Sequence, residues 1–576
     1  MRRTRRLWPV APAVVAVVAL ALAVVALVPE PTHAQHAQHD MHHGHAMGMT
    51  MEAGWRMPPM EPQMPMLPGL HEAVPPVGPY MPGLGMDITM FPVAEPSRLV
   101  QLVPGDTFDI SVSMVRRTIA GHEMVMFGYN GQYPGPFIQA AQGSRVTVRV
   151  TNDIQLPTTI HWHGLRLQNA YDGVPGLTQA AIRQGESFVY ELDVPDAGMF
   201  WYHPHVREDV QQDLGLFGNL LVRSPDPDHY GPVHREEALV LDDMLFDEQG
   251  AIPWGESSPT HALMGRFGNV LMVNGLTDWS LDVDRGEVVR FYLTNVANSR
   301  TFNVNFGGAR VKLIASDISR FEREQWVESV VIAPAERYIV DVHFADEGEV
   351  AVTNAVQAVS HFRGVFYPQI DTLATIRVSD RDVSDDLASS FGTLRENTEV
   401  IADISTFQAH MDRAPDHQLE TTVRVRDLPL PIMQAMEMDT LYVAPMEWND
   451  PMPMMNWLST GDQVTWILRD VETGRENADI DWRFKVGDVV KIRVHNTPDS
   501  FHPMNHPFHV HGQRFVVLSI DGVPATNRAW KDTATIPVGS TVDLLVDMSN
   551  PGVWMAHCHI AEHLGAGMMF NFTVEP

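Results

Sequence analysis

The chain has 576 residues, of which 44% are hydrophobic and 19% are charged, and its formal net charge is −31. This length exceeds what one hydrophobic core supports and predicts about three domains, while the composition argues against a disordered chain. The acidic balance argues against a nucleic-acid-binding surface, which needs clustered Lys and Arg. A single cysteine, Cys558, rules out an intrachain disulfide.

The N-terminus is typical of an export signal. Residues 1–6 read MRRTRR, an apolar run follows over 10–28, and THA at 32–34 is a small-residue cleavage site. The TRR triplet at 4–6 resembles a twin-arginine signal. We therefore expect removal of residues 1–34 during export to the periplasm or the cell exterior. A membrane contact is expected only if this segment stays uncleaved.

Residues 35–95 are predicted to form a disordered leader that is rich in His and Met. Between residues 33 and 71 there are seven histidines and eight methionines, with frequent prolines and no apolar period of 2 or 3.6. Imidazole suits Cu(II) and thioether suits Cu(I). We interpret the leader as a copper-collecting segment, and a flexible linker of biased composition is the alternative.

One strand pattern occurs three times along the rest of the chain. The copies are GSRVTVRVTN at 143–152, GEVVRFYLTN at 286–295 and GDVVKIRVHN at 487–496. Each begins with Gly, alternates with period 2 and ends with Asn. HWHG at 161–164 follows the first copy and HVHG at 509–512 follows the third, whereas the middle copy is followed by NVNFG at 303–307. We therefore predict an all-β fold of three related sandwiches or barrels, of which the outer two bind metal.

Four His-X-His motifs predict metal ligands that converge. They are His161/His163, His203/His205, His509/His511 and His557/His559. Alternate side chains of a strand point to one face, so both imidazoles of each motif can serve one site. Four pairs at equivalent points of two repeats are far stronger evidence than one pair, because eight imidazoles without a metal would bury polar groups that lack partners.

Cys558 lies between the last two of these histidines and therefore points to the opposite face of the strand. On that face it can meet His506, His563 and Met568. A thiolate, two imidazoles and a distant thioether are the ligands of a blue-copper electron-transfer site. These neighbours favour a metal-binding thiol over an ordinary buried one.

Together these motifs resemble the copper motifs of the multicopper oxidase family, over about residues 95–576. The resemblance implies three tandem cupredoxin-like Greek-key β-sandwich domains at 96–226, 227–395 and 396–576, the middle one without copper ligands. It also implies four coppers per chain, which take single electrons from a reductant and use four of them to reduce O2 to water. The implied ligands are His506, Cys558, His563 and Met568 for type 1 copper, His161 and His509 for type 2 copper, and His163, His203, His205, His511, His557 and His559 for the type 3 pair.

Two further roles follow from the resemblance. Cys558 would be the electron relay, because it joins the type 1 site to His557 and His559 through the chain. Asp172, in YDG at 171–173, resembles the family's acid that serves as a proton relay, and an ordinary Asp-Gly turn is the alternative. Glu562 lies inside the last motif and is either a functional acid or an exposed turn residue.

One departure from the family pattern follows the second His-X-His motif. The chain reads VRED at 206–209, where many relatives carry another His-Gly. That position is not a copper ligand in the family. The resemblance therefore implies a different polarity beside the cluster and no loss of activity.

A second methionine-rich stretch bears on the reductant. Residues 433–455 contain seven methionines and resemble the insertions of bacterial cuprous oxidases, so the candidate sites for substrate Cu(I) are Met436, Met438, Asp439 and Met446. Methionine also fills irregular cores, which is the alternative. We predict a monomer that oxidises Cu(I) or another metal ion in copper tolerance. The alternatives are a laccase-like oxidase of phenols and aromatic amines and, in another class, an exported copper-binding or storage protein.

Overall fold

The described part of the chain contains every predicted ligand of the type 1, type 2 and type 3 coppers. The computed structural model describes residues 80–255, 258–360, 365–426, 446–448 and 464–576. All described residues belong to one compact unit of the chain. The predicted signal and most of the predicted leader lie outside the described residues. None of the helices within these ranges has the length and apolar character needed to cross a bilayer.

Nine strands form the N-terminal sandwich. They are β1 (Leu99–Gln101), β2 (Thr107–Ile119), β3 (His122–Tyr129), β4 (Phe137–Ala141), β5 (Arg145–Asn152), β6 (His161–His163), β7 (Ser187–Asp193), β8 (Gly198–His203) and β9 (Gly218–Arg223). One sheet has the order β3-β2-β5-β7 and the other has the order β1-β4-β9-β8-β6. Along β5, every second residue is buried, as the period-2 pattern predicts.

The middle sandwich contains the next thirteen strands. They are β10 (Arg235–Met244), β11 (Phe246–Asp247), β12 (Gly250–Ala251), β13 (Val270–Val273), β14 (Ser280–Arg285), β15 (Glu287–Asn295), β16 (Phe302–Asn305), β17 (Arg310–Ser316), β18 (Ser319–Val327), β19 (Val330–Ile332), β20 (Arg337–Phe344), β21 (Gly348–Ser360) and β22 (Val365–Asp382). Its two sheets have the orders β13-β10-β15-β20-β17-β18 and β14-β22-β21-β16-β19, and β11 pairs with β12 in a separate ribbon. All nine residues of β15 are buried, so this strand lies at the centre of its sheet.

The C-terminal sandwich carries the last repeat. Its strands are β23 (His417–Val425), β25 (Val464–Asp470), β26 (Trp482–Lys485), β27 (Asp488–Asn496), β28 (His506–Val510), β29 (Arg514–Ile520), β30 (Val523–Pro524), β31 (Thr533–Ile536), β32 (Thr541–Met548), β33 (Gly552–Cys558) and β34 (Met569–Glu575). The sheet orders are β25-β23-β27-β32-β29-β30 and β26-β34-β33-β28-β31. The short strand β24 (Met446–Trp448) pairs in parallel with β21 of the middle sandwich.

Six short α-helices occur among the described residues. They are α1 (Glu208–Gln211), α2 (Ser258–Met264), α3 (Ala388–Phe391), α4 (Thr398–Ser405), α5 (Gln408–Met411) and α6 (Ala561–Gly565). Both α1 and α2 pack against α6. Helices of one to two turns do not change the class of the fold, and the predicted all-β architecture is confirmed.

The asparagine that ends each repeat has the same structural role in all three sandwiches. Asn152, Asn295 and Asn496 end β5, β15 and β27, and each is buried. In each, the side-chain amide donates to two backbone carbonyls, at 2.8 and 2.9 Å, 2.7 and 2.9 Å, and 2.6 and 3.0 Å respectively. One carbonyl lies on the segment that follows the strand, and the other lies 30 to 40 residues after the asparagine itself. The asparagine thus ties together the segments that lead to the His-X-His positions.

Candidate metal centre

The predicted histidines lie at the ends of paired strands. In the N-terminal sandwich, β6 pairs with β8 so that His161 lies opposite His203. In the C-terminal sandwich, β28 pairs with β33 so that His509 lies opposite His557. Because His205, His511 and His559 follow directly after these strands, each sandwich presents four imidazoles at one edge.

These two edges meet, and the eight imidazoles form one buried cluster. The rings of His163 and His509 are stacked with their centroids 3.8 Å apart, and the centroids of His161 and His511 are 4.1 Å apart. Every one of the eight side chains is buried. The structure therefore brings together all eight histidines that the four motifs predict.

Six of the eight rings can be grouped into two triples, which leaves one pair. In one triple the centroids of His163, His203 and His559 are 5.0 to 5.7 Å apart. In the other, those of His205, His511 and His557 are 5.1 to 5.4 Å apart. His161 and His509 remain, with their centroids 5.7 Å apart. Other triples, such as His161 with His163 and His203, are also close, so distance alone does not divide the cluster.

In most of these rings one nitrogen faces a protein oxygen that can accept a hydrogen bond from its N–H group. Backbone carbonyls accept from the Nδ1–H of four histidines, at 2.7 Å for His161, 2.9 Å for His203, 2.9 Å for His509 and 2.9 Å for His557. Side-chain carboxylates lie beside one ring nitrogen of three more, His163, His205 and His511. Such contacts fix which nitrogen carries the hydrogen and how the ring is oriented.

The other nitrogen of every ring has its lone pair inside the cluster. In the described part of the chain there is no hydrogen-bond partner for His161 Nε2, His163 Nδ1, His203 Nε2, His205 Nε2, His509 Nε2 and His559 Nε2. The Nε2 atoms of His511 and His557 face each other at 3.0 Å. Buried polar atoms without partners are costly, and lone pairs aimed at common points fit metal ions. The residues present therefore fit copper.

Burial favours the neutral form of six of these imidazoles. Removal from water, together with the neighbouring rings, lowers the pKa well below its ordinary value in the group His163, His203, His509, His511 and His557. The same causes lower the pKa of His559 to about 3. Burial lowers the pKa of His205 as well, but the nearby carboxylates of Glu208 and Asp172 together outweigh it and raise the pKa of that imidazole. Neutral imidazole is the form that binds a metal.

Cys558 faces away from the histidine cluster, as predicted. Its Sγ lies 3.5 Å from His506 Nδ1 and 3.8 Å from His563 Nδ1, and these side chains and that of Met568 are buried. Burial raises the pKa of the Cys558 thiol, so a bound cation is needed to keep it as a thiolate near neutral pH. The set of a thiol, two imidazoles and a thioether is chemically suited to copper.

A tryptophan and a helix cover this thiol site. The Trp466 ring stacks on the His563 ring at 4.0 Å and meets the His506 ring edge-on at 4.9 Å. Its Nε1–H donates to the carbonyl of Ala262 in α2, at 2.9 Å. The ligand residues on α6 are therefore shielded by side chains that the sequence patterns did not single out.

Asp172 lies between two of the predicted ligands. Its Oδ2 accepts from His511 Nδ1 at 2.9 Å, and its Oδ1 lies 3.3 Å from His161 Nδ1. The side chain is buried, so it belongs to the cluster and is more than part of an Asp-Gly turn. A carboxylate in this place can orient one ring from each sandwich.

Sequence reasoning missed Asp532 and its partner Arg337. Asp532 Oδ1 lies 3.0 Å from His163 Nε2, and the Arg337 guanidinium binds both carboxylate oxygens at 2.7 and 2.5 Å. Gly164 in the first motif has a φ of 85°, and a Cβ there would collide with the Asp532 carboxylate. The glycine of HWHG was therefore the available sign that another group lies close behind His163.

The sequence assigns no role to Glu208, near the second motif, and leaves two alternatives for Glu562, inside the fourth. Glu208 Oε1 lies 2.7 Å from His205 Nδ1. Glu562 is buried in α6, not exposed in a turn, and Ser299 Oγ donates to its Oε2 at 3.1 Å. Burial, aided by the nearby Asp209, raises the pKa of Glu562 to about 8.

The candidate sites for substrate copper lie mostly beyond the described ranges. Met436, Met438 and Asp439 lie outside the described residues. Met446 is the first residue of β24, whose backbone pairs with Gln357 of β21. Their role in copper binding stays a prediction.

Comparisons with known proteins agree with this geometry. Models of the family described as multicopper oxidase match residues 111–227, 234–364 and 435–576, which together are more than half of the chain. The dihydrogeodin oxidase of Aspergillus terreus is 25% identical over 559 residues, covering 85% of each chain. A multicopper oxidase of Mycobacterium tuberculosis, MmcO, is 26% identical over 505 residues, covering 80% of this chain and 86% of the relative.

Solved structures have the same fold. A multi-copper oxidase from Pseudomonas thermotolerans is 25% identical, with a TM-score of 0.59, and the match covers 83% of this chain and 100% of that one. A metallo-oxidase from Campylobacter jejuni is 23% identical, with a TM-score of 0.65, and the match covers 85% and 97%. The family models, the relatives and the shared fold lead to one conclusion: the chain belongs to the multicopper oxidase family and is a copper-binding oxidoreductase.

Proposed function

We propose that each chain binds four coppers. Type 1 copper is held by His506, Cys558, His563 and Met568, and type 2 copper by His161 and His509. One type 3 copper is held by His163, His203 and His559, and the other by His205, His511 and His557. The inward lone pairs of eight buried imidazoles carry this proposal. When bound, the coppers supply the one-electron chemistry that joins oxidation of a reductant to reduction of O2 to water.

Cys558 is placed to connect the two parts of the site. It follows His557 and precedes His559 in the chain, so covalent bonds alone join its Sγ to one imidazole of each triple. The strand places the thiol on one face and the two rings on the other. Pro204 is bonded in the same way to His203 and His205, but its side chain has no atom that can bind a metal. This difference supports Cys558 as the electron relay.

Asp172 is proposed to position ligands and to hold a proton that O2 reduction consumes. Its carboxylate lies beside His161, a proposed type 2 ligand, and beside His511, a proposed type 3 ligand. It therefore contacts two parts of the cluster at once. A proton held on this carboxylate would need no movement of the strands to reach either side.

The four-copper proposal is tested on copper-loaded protein. We expect four coppers per chain, an intense thiolate-to-copper absorption band, and paramagnetic signals from two coppers only, because a coupled type 3 pair is silent. A matched control is the protein loaded with Zn(II), which should give neither the band nor the signals. Two coppers per chain, or no absorption band from the thiolate, would contradict the assignment.

We propose Cu(I), or another metal ion, as the reductant. The proposed type 1 ligands Cys558, His563 and Met568 are each 0% exposed. The Trp466 ring covers the His563 ring and is itself held by a hydrogen bond to α2. A phenol could not contact the imidazole without displacing this tryptophan, whereas a metal ion bound further out can pass an electron over a distance. The methionine-rich segment at 433–455 supplies thioether ligands for such an ion.

A laccase-like activity on phenols and aromatic amines is the second candidate. It is favoured by relatives such as Laccase-1 of Botryotinia fuckeliana, 25% identical over 501 residues. O2 uptake with Cu(I) and with a phenol separates the two. Deletion of residues 433–455 should abolish cuprous turnover and retain or raise phenol turnover. Unchanged cuprous turnover after the deletion, or rapid phenol turnover only, would favour the laccase.

Point substitutions sharpen this test. Replacing Met436, Met438 and Met446 by Leu keeps side-chain size but removes the thioether sulfur. We expect a higher KM for Cu(I) with an unchanged rate for the phenol. Met90→Leu, at a methionine that is 67% exposed and far in sequence from residues 433–455, is the matched control.

Export by a twin-arginine route is proposed from the first 34 residues, and a monomeric state is proposed as well. Replacing Arg5 and Arg6 by Lys should keep the protein inside the cell. The N-terminal sequence of exported protein should begin after Ala34, and sedimentation should give one chain per particle. A mature protein that begins at Met1 would contradict cleavage.

A further inference from the structure

Among the described residues, three side-chain carboxylates contact the histidine cluster, and they differ in their surroundings. Asp532 is neutralised by Arg337, which binds both of its oxygens. Asp172 is shared between two histidines. Glu208 contacts a single histidine, His205, with Oε1 2.7 Å from Nδ1. Glu208 lies where the sequence departs from the family pattern, so no motif assigns it a role.

The backbone conformation of Arg207 directs the Glu208 side chain toward the histidine cluster. Arg207 has a φ of 48° and a ψ of 59°, which is the left-handed region that non-glycine residues rarely adopt. Its guanidinium binds both oxygens of Asp209, at 2.8 and 2.8 Å, and both residues are buried. This buried pair stabilises the turn, which places the first residue of α1 beside the ring three positions earlier.

Among the described residues, Glu208 is paired with His205 and not with a Lys or Arg side chain. The nearest guanidinium along the chain, that of Arg207, is occupied by Asp209, and no ion pair within the described ranges joins Glu208 to Lys or Arg. The Glu208 side chain is 12% exposed, whereas the His205 side chain is 0% exposed. Oε1 lies off the direction of the ring N–H, so the contact is a close electrostatic one. A carboxylate here favours the hydrogen on Nδ1 and leaves the Nε2 lone pair free.

The two triples of histidines therefore differ in what supports them. Two rings of the triple His205, His511 and His557 have a carboxylate beside Nδ1, and neither of these carboxylates is paired with Arg or Lys in the described part of the chain. The other triple has one, Asp532, which Arg337 neutralises. Negative charge beside an imidazole makes it a stronger ligand.

We propose that Glu208 is a positioning residue that holds His205 in the orientation and tautomer that bind copper. It makes the copper of His205, His511 and His557 the more tightly held of the type 3 pair. This inference rests on the proposed function, since it concerns a ligand of that site. Its chemistry needs no further cofactor, because the acid acts through the imidazole and does not touch the substrate.

The test compares copper retention in full-length, copper-loaded variants. Glu208→Ala removes the carboxylate, and Glu208→Gln keeps the shape but removes the charge. We expect Glu208→Ala to weaken retention of one copper by about 10–100-fold in a chelator titration, as for other groups that support a metal-bound histidine. Glu208→Gln should fall between this variant and the unaltered protein.

Spectroscopy locates the copper that is lost. Loss of one member of the type 3 pair leaves its partner uncoupled, so a third paramagnetic copper signal should appear in Glu208→Ala. The absorption band of the Cys558 site should be unchanged. Glu248→Ala is the matched control, because it removes the same kind of carboxylate from an exposed position of the middle sandwich. We expect it to leave copper retention and the coupled pair unchanged.

The outcomes separate the role of Glu208 from the proposed function. Retention and spectra of Glu208→Ala that equal those of the unaltered protein would overturn the role of Glu208 and leave the proposed function intact. An equal effect of Glu248→Ala on copper retention would also overturn it, since loss of a carboxylate far from His205 would then explain the result. Absence of a coupled pair from the unaltered protein would overturn the proposed function and this inference with it.

Discussion

Replacing Asn295 by Ala should destabilise the middle sandwich strongly, although no copper ligand is involved. The Asn295 amide donates to the carbonyls of Arg300 and Ile332, at 2.7 and 2.9 Å, and its Oδ1 accepts from Ala297 N at 3.0 Å. Each bond contributes about 1 kcal/mol, and a buried group left unpaired costs about 1–3 kcal/mol. With three backbone groups losing their partner, the free energy of unfolding should fall by about 3–5 kcal/mol.

Asn305→Ala is the matched control for this prediction. Asn305 donates to the carbonyl of Glu328 at 2.9 Å and accepts from Gly307 N at 2.8 Å, but these bonds are exposed. Water can replace them, so we expect a loss below about 1 kcal/mol. Urea unfolding of the copper-free protein, followed by tryptophan fluorescence, measures both. Equal and small losses for the two variants would refute the role given to the repeated asparagine.

Three further predictions concern the copper site and its surroundings. Cys558→Ser should abolish the thiolate-to-copper band and O2 uptake while about three coppers per chain remain bound, as measured by metal analysis. Asp172→Asn should lower copper retention or turnover by about 10–100-fold, whereas Asp153→Asn, at an exposed acid, should have no effect. Burial raises the pKa of Glu562 from its ordinary value of 4.5 to about 8. Between these two pH values the Glu562 carboxyl is therefore protonated in the folded protein and ionised in the unfolded chain. Its contribution to stability therefore falls as the pH rises from 4.5 to about 8, and Glu562→Gln should raise the urea midpoint at pH 8 but not at pH 4; an equal change at both pH values would contradict this.

Most of the proposed copper ligands could be predicted because the information is local. A strand alternates its side chains, so His557 and His559 must share a face and Cys558 must take the other. The same alternation, followed by Asn, marks β5, β15 and β27 in the amino-acid sequence. The all-β fold follows from the same signal, since it depends on residues two apart.

The groups behind the ligands could not be predicted because their contacts are not local. Asp532 lies 369 positions from His163 in the chain, and no spacing rule relates the two. Glu208 is close in sequence to His205, but its contact depends on the left-handed conformation of Arg207. Nothing in the sequence VRED predicts that conformation for an arginine. The sequence therefore showed the departure from the family pattern, but not the contact between Glu208 and His205 that results from it.

For Glu562 too, the sequence predicted the position in the motif but not the burial of the side chain. Its position in the last motif was evident, and the sequence left open whether it was exposed. The answer depends on α1 and α2, which pack on α6 from the N-terminal and middle sandwiches, and on Ser299, which donates to the carboxylate. An acid within a ligand motif can therefore be placed by sequence, but its burial and its pKa depend on distant segments.

The middle sandwich contributes to the histidine cluster, although none of its described residues supplies one of the eight imidazoles. Its Arg337 is fully buried and donates to Asp532, the carboxylate that contacts His163. Without this guanidinium a buried negative charge would face the cluster unpaired, which is strongly destabilising. Arg337 also contacts Asp317, at 3.3 Å, and the carbonyl of Met199 in β8, at 2.8 Å. One arginine thus connects the middle sandwich to both ligand-bearing sandwiches, so the geometry of the histidine cluster depends on all three repeats even though two of them supply every imidazole.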